Sequence, residues 1–488
     1  DAQAGRLTRA VRICATGCRA LCALEVHAAF EKELASAGLT KTVALIKTGC
    51  QGICAGAPVI GIDPEGILYL GAKSADVPEI VRTTLLGGGV VDRLCFQGQN
   101  GPIPRRADIP FFSAQKQIVL DRCGRIDPTD IESALAEGAY EMLERALTGM
   151  EPQAVIDEVT VSGLRGRGGA GFPTGKQWSL SRAAKNDIKY LICNADEGDP
   201  GAFMDRAVVE GDPHAVLEGM LIAAYAIGAE HGYVYVRAEY PIAIEHLKIA
   251  ISQAKERGLL GDNILGTGMK FDVKIKAGAG AFVCGEETAL MASIEGKRGQ
   301  PRPRPPYPAQ SGLWGKPTNI NNVETLANIP AILRMGGEAY ARLGTKTSRG
   351  TKIFALAGKV KYTGLVEVPI GITLRRLFSD IGGGGPAGTS FKAAQMGGPS
   401  GGCVPARYLD MPIDYETVKE VGAIMGSGGL IILDDATCMV DLARYFMDFC
   451  SKESCGKCPP CRIGTTRMLE ILNRICAGKG APKDIARL

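Results

Sequence analysis

Three observations make this a multidomain α/β chain before any motif is weighed. At 488 residues it exceeds what one hydrophobic core organises, so two to four domains are expected. In its central stretch apolar strand-like runs alternate with helix-spaced segments, the pattern of a mainly parallel sheet. After Asp434 the periodicity becomes purely helical.

The first 98 residues form a small α/β unit. Val11–Cys14 and Val43–Lys47 are strand-like, with helix-spaced apolar residues from Glu25 to Leu39 between them. Pro58–Ile62 and Gly66–Leu70 flank the turn Asp63-Pro-Glu-Gly, and a helix from Ala75 to Leu86 closes the unit. Residues 99–345 make the largest unit. A linker containing Gly101-Pro-Ile-Pro leads to helices around Asp130–Leu147 and Pro152–Ser162. Strands at Lys189–Asn194 and Tyr233–Ala238 are separated by a helix over Pro213–Gly228, and Phe271–Lys276 alternates as a half-exposed strand does. In residues 351–436, strands at Ile353–Ala357, Gly364–Val368 and Leu430–Leu433 surround one helix at Thr373–Ile381, a small α+β unit. Residues 437–488 carry helices over Val440–Phe449 and Arg467–Ile475.

Composition narrows the function. With 56 basic and 52 acidic side chains the formal charge is +4, which excludes nucleic acid as the main partner. No apolar run approaches the ~18–20 residues of a membrane span, and there is no signal-peptide pattern. Sixteen cysteines at spacings as short as Cys14/Cys18, Cys50/Cys54 and Cys455/Cys458/Cys461 suit metal or cluster ligation in a reducing compartment, so the chain is expected to be cytoplasmic. Starting at Asp1 and stopping inside a helical pattern, it is also expected to be cut at both ends. The 64 glycines imply tight loops where backbone closely approaches something else.

Two such loops stand out. Gly166-Arg-Gly168-Gly-Ala-Gly171-Phe-Pro-Thr-Gly175 matches GxGxxG formally. That fingerprint needs a strand before it, and Ala154–Ser162 reads as helix. The loop still offers unhindered N–H groups ahead of a helix start near Trp178, an anion cradle or else a plain tight turn. The second loop, Ala277 to Thr288, includes Gly285, Glu286 and Glu287 at a helix start, where the carboxylates either serve a ligand or complement the macrodipole. Between them, Cys193-Asn-Ala-Asp-Glu-Gly-Asp-Pro-Gly lies at the carboxyl end of a strand, where open α/β sheets bind ligands. Pro301-Arg-Pro-Arg-Pro-Pro-Tyr307 is a stiff arm presenting Arg302, Arg304 and Tyr307, followed by Asn321-Asn322.

Taken together, these segments from Leu164 through Thr325 resemble the FMN- and NADH-binding subunit of respiratory complex I. They are still more similar to the flavoprotein subunits of NAD-linked, electron-bifurcating hydrogenases and related soluble complexes. The resemblance implies an NADH dehydrogenase-type oxidoreductase subunit working with other iron–sulfur subunits of a larger redox complex, with FMN and NAD(H) as cofactors. It implies that Gly166, Arg167, Gly168, Gly169 and Lys176 line the FMN, with Asn194, Asp196, Glu197, Asn321 and Asn322 bonding its polar groups. Gly285, Glu286 and Glu287 would sit by flavin and nicotinamide. Phe172, Asp199, Glu287, Arg304 and Tyr307 would serve the NAD. The sequence departs from the family pattern at Gly175-Lys176-Gln177-Trp178, where the basic residue is shifted by one, at Phe282 in place of Tyr, and at Asp199 in place of Glu.

Cys455, Cys458 and Cys461 present three thiolates at successive CxxC spacing, suited to three corners of a [4Fe-4S] cubane or to a zinc knuckle. SCGKCPPCR also resembles the family's cluster signature, which implies a fourth cysteine beyond Leu488. Cys14, Cys18, Cys50 and Cys54 resemble the ligands of a thioredoxin-like [2Fe-2S] domain; Cys18/Cys22 competes for the first pair, and zinc or an empty site remains open. Cys95, Cys123, Cys193, Cys284, Cys403, Cys438 and Cys450 read as small core residues. The resemblance thus divides the chain into a thioredoxin-like [2Fe-2S] domain (1–98), a Rossmann-like FMN- and NADH-binding domain (99–345), a ubiquitin-like SLBB domain (351–436) and a C-terminal helical [4Fe-4S] bundle (437–488). A flavin-less relay or scaffold subunit and a zinc-stabilised binding protein are the competing classes.

Overall fold

The computed structural model describes residues 8–488; the first seven positions of the 1–98 unit lie outside the described residues. The N-terminal sheet has the order β2-β1-β3-β4, from β1 (Arg9–Cys14), β2 (Val43–Thr48), β3 (Val59–Asp63) and β4 (Ile67–Leu70). β1 runs parallel to β2 and antiparallel to β3. The helix Ala23–Ser36 connects the parallel pair and buries Ala23, Val26, Phe30 and Leu34, one face at helical spacing. A short ribbon, β5 (Phe96–Gly98) with β6 (Gly101–Ile103), leads out of the unit.

The central sheet has the order β11-β7-β8-β10-β9, built from β7 (Tyr190–Ala195), β8 (His231–Arg237), β9 (Gly261–Ile264), β10 (Met269–Gly278) and β11 (Thr318–Asn322). All neighbours are parallel except the edge strand β9. The helix Pro213–Ile227 lies almost wholly buried among sheet and helices; Asp212 caps its start through the Ala215 amide, and left-handed Gly228 ends it. Because four strands share one direction, Ala195, Arg237, Gly278 and Asn322 end at one edge.

Several elements depart from expectation. The helix expected over Asp130–Leu147 is two, Ile131–Ala136 and Glu141–Gly149, because Gly138 and Tyr140 take positive φ values of 77° and 65°. The helix after the first glycine loop starts at Thr174 rather than near Trp178. β11 carries no strand signal of its own: its sequence, Thr-Asn-Ile-Asn-Asn, lacks strand propensity, and pairing with β7 supplies what propensity does not. The short β9 is likewise absent from the sequence pattern.

The third sheet has five strands rather than three, in the order β13-β12-β16-β14-β15: β12 (Thr351–Gly358), β13 (Gly364–Pro369), β14 (Phe391–Met396), β15 (Gly402–Pro405) and β16 (Gly429–Asp434). It is fastened to the central unit by the fully buried Lys352–Glu324 ion pair. Glu367, on β13, accepts hydrogen bonds from the Ile118, Val119 and Leu120 amides. The N-terminal unit joins it as well, with the Leu365 amide donating to Gly52 O at 2.7 Å. Beyond β16 come the helices Met439–Lys452 and Thr465–Cys476. Among the described residues no helix is long and apolar enough to cross a membrane.

Candidate functional site

The first glycine loop is pinched at its base and bare at its tip. Gly166 N donates to Phe172 O at 2.8 Å and Thr174 N to Leu164 O at 2.9 Å. Among the described residues the Gly168, Gly169, Ala170 and Gly171 amides have no protein acceptor. Two glycines here lie close against neighbouring segments. Gly169 has φ +122°, and a Cβ on it would stand 3.2 Å from the Gly426 backbone. A Cβ on Gly168 would reach Asn322 Cβ at 3.1 Å. The result is a strip of exposed amide donors beside the end of β11, the surface an anionic group requires.

The acidic loop after β7 meets the second glycine loop. Asn194 Nδ2 donates to Gly285 O at 3.0 Å, while its Oδ1 accepts from the Asp196 amide. Asp196 Oδ2 is buried without a partner. Burial pushes the Asp196 carboxyl up to about 7; Glu239 and Glu453 act the same way, and Arg237 opposes them. Glu286 caps the helix Glu287–Ile294 through the Thr288 and Ala289 amides, and Glu287 pairs with Arg304. Phe172 and Tyr307 hold exposed rings, 48% and 55% accessible, and Lys176 Nζ stands 6.0 Å from the Phe172 ring centre.

Four of the expected residues are engaged by the protein itself. Arg167 is fully buried: its guanidinium donates to Thr351 O, Arg349 O and Arg165 O, and its amide to Thr325 Oγ1. It braces the loop from behind. Asn321 accepts from Trp178 Nε1 at 2.9 Å and donates to Gln177, fastening β11 to the helix Thr174–Ala183. Glu197 caps the helix Met204–Gly211 through the Asp205 and Arg206 amides. Asp199 accepts from Ser427 Oγ at 3.0 Å, so it faces the third sheet's unit. A polar residue's inward or outward direction depends on which distant carbonyls or amides await it, and spacing does not record that. Asn322 remains at the strip, capping Val323–Ala327 and donating to Asp205. Two residues beside Asp196, Arg237 at the end of β8 and Glu453, do not stand out in the sequence. Arg237 shares with Asn194 the one available signal, a polar residue ending a parallel strand.

The N-terminal thiols gather as a string. Cys14 neighbours both Cys18 and Cys50, and Cys50 neighbours Cys54. The neighbouring Cys18 and Cys50 hold the Cys14 thiol well below its usual range, while Cys18 and Cys50 are themselves pushed up. Cys22 stays apart, exposed and facing Glu25. The arrangement is pairwise; among the described residues no three His, Cys, Asp or Glu side chains surround a single metal ion. Cys455, Cys458 and Cys461 occupy the segment between the two C-terminal helices, with Ser454 Oγ 3.3 Å from Cys461 Sγ. Arg298 and Gln300 donate to Cys455 O at 3.1 and 3.2 Å. Phe282 N donates to Glu453 Oε2 at 2.9 Å, and the Phe282 and Phe449 rings lie 5.1 Å apart. The second glycine loop therefore touches the acidic loop on one side and the approach to the cysteine loop on the other. Of the cysteines expected in the core, Cys95, Cys123, Cys193 and Cys284 are buried; Cys403 and Cys450 are half-buried, and Cys438 is exposed at the N-terminal cap of its helix.

An open parallel sheet with bare amides and an unpartnered carboxyl at its carboxyl edge, next to a segment with three cysteines at CxxC spacing, suits a class: nucleotide-binding redox proteins wired to iron–sulfur centres. A family model for the Nuo51 FMN-binding domain matches residues 159–331, and one for the NADH-ubiquinone oxidoreductase-F iron-sulfur binding region matches 441–488. The chain is 58% identical over 374 residues to the NADP-reducing hydrogenase subunit HndC of Solidesulfovibrio fructosivorans, covering 77% of this chain and 76% of that one. It is 44% identical over 362 residues to an NADH-quinone oxidoreductase subunit of Escherichia coli K12, covering 74% and 81%. The solved NAD+-reducing [NiFe]-hydrogenase in its H2-reduced state is similar at 30% identity and a TM-score of 0.68, over 99% of this chain and 78% of that one. The chain belongs to this family of FMN-binding, iron–sulfur oxidoreductase subunits, whose cofactors are FMN, NAD(H) and a [4Fe-4S] cluster.

Proposed function

We propose that this chain is the flavoprotein subunit of a multisubunit NAD(H)-dependent oxidoreductase, passing a hydride between NADH and FMN and single electrons through iron–sulfur clusters to partner subunits. The observation that carries the reading is the double contact of the second glycine loop, through Asn194 to the acidic loop and through Glu453 to the cysteine segment. The free amides at Gly168 and Gly169 and the orphaned Asp196 Oδ2 fit the polar groups of a phosphorylated flavin.

In this reading Gly166, Gly168, Gly169, Asn194, Asp196, Asn322 and Gly285 hold FMN. Lys176 completes the FMN side, and Phe172, Asp199, Tyr307, Arg304 and Glu287 receive the dinucleotide. Bound FMN supplies two-electron acceptance from the nicotinamide and one-electron release. The chain's own part is to orient the rings and exclude water, with the Asp196 carboxyl, raised by burial to about 7, at the site's edge. Cys455, Cys458 and Cys461 hold the [4Fe-4S] cluster; Cys14, Cys18, Cys50 and Cys54 hold a [2Fe-2S] cluster in a thioredoxin-like unit (1–98). Residues 99–345, 351–436 and 437–488 are then the flavin, ubiquitin-like SLBB and cluster units. The hydrogenase and quinone-oxidoreductase relatives, each named as a subunit, support assembly with other iron–sulfur subunits; electron bifurcation and a cytoplasmic location belong to the same proposal. Anaerobic reconstitution of the isolated chain tests this. Flavin absorbance, iron and NADH-dependent reduction of an artificial dye are expected, and no bound FMN would sink it.

A further inference from the structure

The match to the FMN-binding family model ends at residue 331, yet the first glycine loop is gripped from beyond it. Tyr415, 8% exposed, donates its hydroxyl to Gly166 O at 2.9 Å. Its ring lies under the Arg165 guanidinium, 4.4 Å from the centroid, and Arg165 Nε donates to Gly171 O at 2.6 Å. A Cβ on Gly171 would come within 2.7 Å of the Tyr415 ring, so the loop is moulded onto the tyrosine. Two further contacts come from the same unit: Gly426 backs Gly169, and Ser427 holds Asp199 of the acidic loop.

Glycine-rich backbone is the least pre-ordered kind, and a strip of amides binds an anion well only when its geometry is held in advance. We propose that the 351–436 unit forms the outer wall of the flavin site, with Tyr415 as a positioning residue that sets the first glycine loop for FMN. This inference rests on the flavin reading above.

The test compares Tyr415→Phe, which removes only the hydroxyl, with Tyr362→Phe, a change in the same unit at a tyrosine packed on Phe96. FMN affinity is measured on flavin-stripped full-length chain, and hydrogen exchange at the bonded amides of Gly166, Arg167 and Thr174 is measured without flavin. Tyr415→Phe is expected to weaken FMN binding about tenfold, the effect of one lost hydrogen bond, and to speed exchange at those amides with the melting temperature unchanged. Tyr362→Phe is expected to do neither. Unchanged exchange and FMN affinity in Tyr415→Phe overturn the proposal, as do equal losses in both variants. Faster exchange in a protein whose wild type binds no FMN leaves the bracing intact and removes the flavin reading instead.

Discussion

The N-terminal thiols grow out of a folded sheet, whereas those after residue 454 sit on a segment between two sparsely buried helices. Cys14 ends β1 and is 1% exposed, with Val11, Ile13 and Phe30 completely buried around it. Cys458 is exposed, and the helix Met439–Lys452 has no buried residue. One site is prepared by its hydrophobic core. The other has little core to hold it and depends on hydrogen bonds from Arg298 and Gln300 and on whatever its thiolates bind. Where a site lacks a core, ligand binding and local folding become the same event.

That contrast can be broken most decisively at Cys455 and Cys458. Replacing both by Ala should remove about four irons per chain and make the helix Thr465–Cys476 sensitive to protease, because the cluster contributes local folding energy. Retained iron with intact protease resistance would place the cluster elsewhere. Next is Gly169→Ala, which tests whether the glycine strip is pre-built like the N-terminal site. Its φ of +122° is strained for any side chain and the Gly426 backbone stands 3.2 Å from the added Cβ, so FMN affinity should fall by more than about tenfold with a strain of ~1–3 kcal/mol.

A smaller effect is expected at the prepared site. Cys14→Ser with Cys50→Ser should lose about two irons while leaving the unit's melting transition in place, since its core does not need the metal. Collapse of that unit would erase the contrast.

Asp196 supplies a pH test. Its folded pKa of about 7 lies above the ordinary 3.8, so the native state binds more protons than the unfolded chain between those values. Stability of the flavin-free protein should therefore fall as pH rises from about 4 to about 7 and level off above; Asp196→Asn should remove that component from melting curves. Smallest of all, Cys22→Ser should leave iron content unchanged, because Cys22 lies outside the string of thiols. Iron loss in that variant would reassign the first ligand pair.

Much of the architecture is legible along the chain. Helices such as Pro152–Ser162 and Pro213–Ile227 and the strands β7, β8 and β12 carry strong periodicity or long apolar runs, signals set by local geometry. β11, β14 and β15 do not, because polar or short strands are made by their neighbours. The same division runs through the candidate site. Glycine-rich loops, CxxC spacing and the acidic turn are local and readable. Whether Arg167 or Asp199 faces a ligand is not, since each is claimed by partners far along the chain: Thr351 and Arg349 for the first, Ser427 for the second.

Residue order therefore settled the chemistry on offer: bare backbone, carboxylates and thiols at ligating intervals, all properties of short segments. Tertiary packing decided which of those groups stay available. A buried guanidinium or carboxyl must find its hydrogen-bond partners wherever the fold brings them, and that desolvation cost outweighs any preference written into the neighbouring residues.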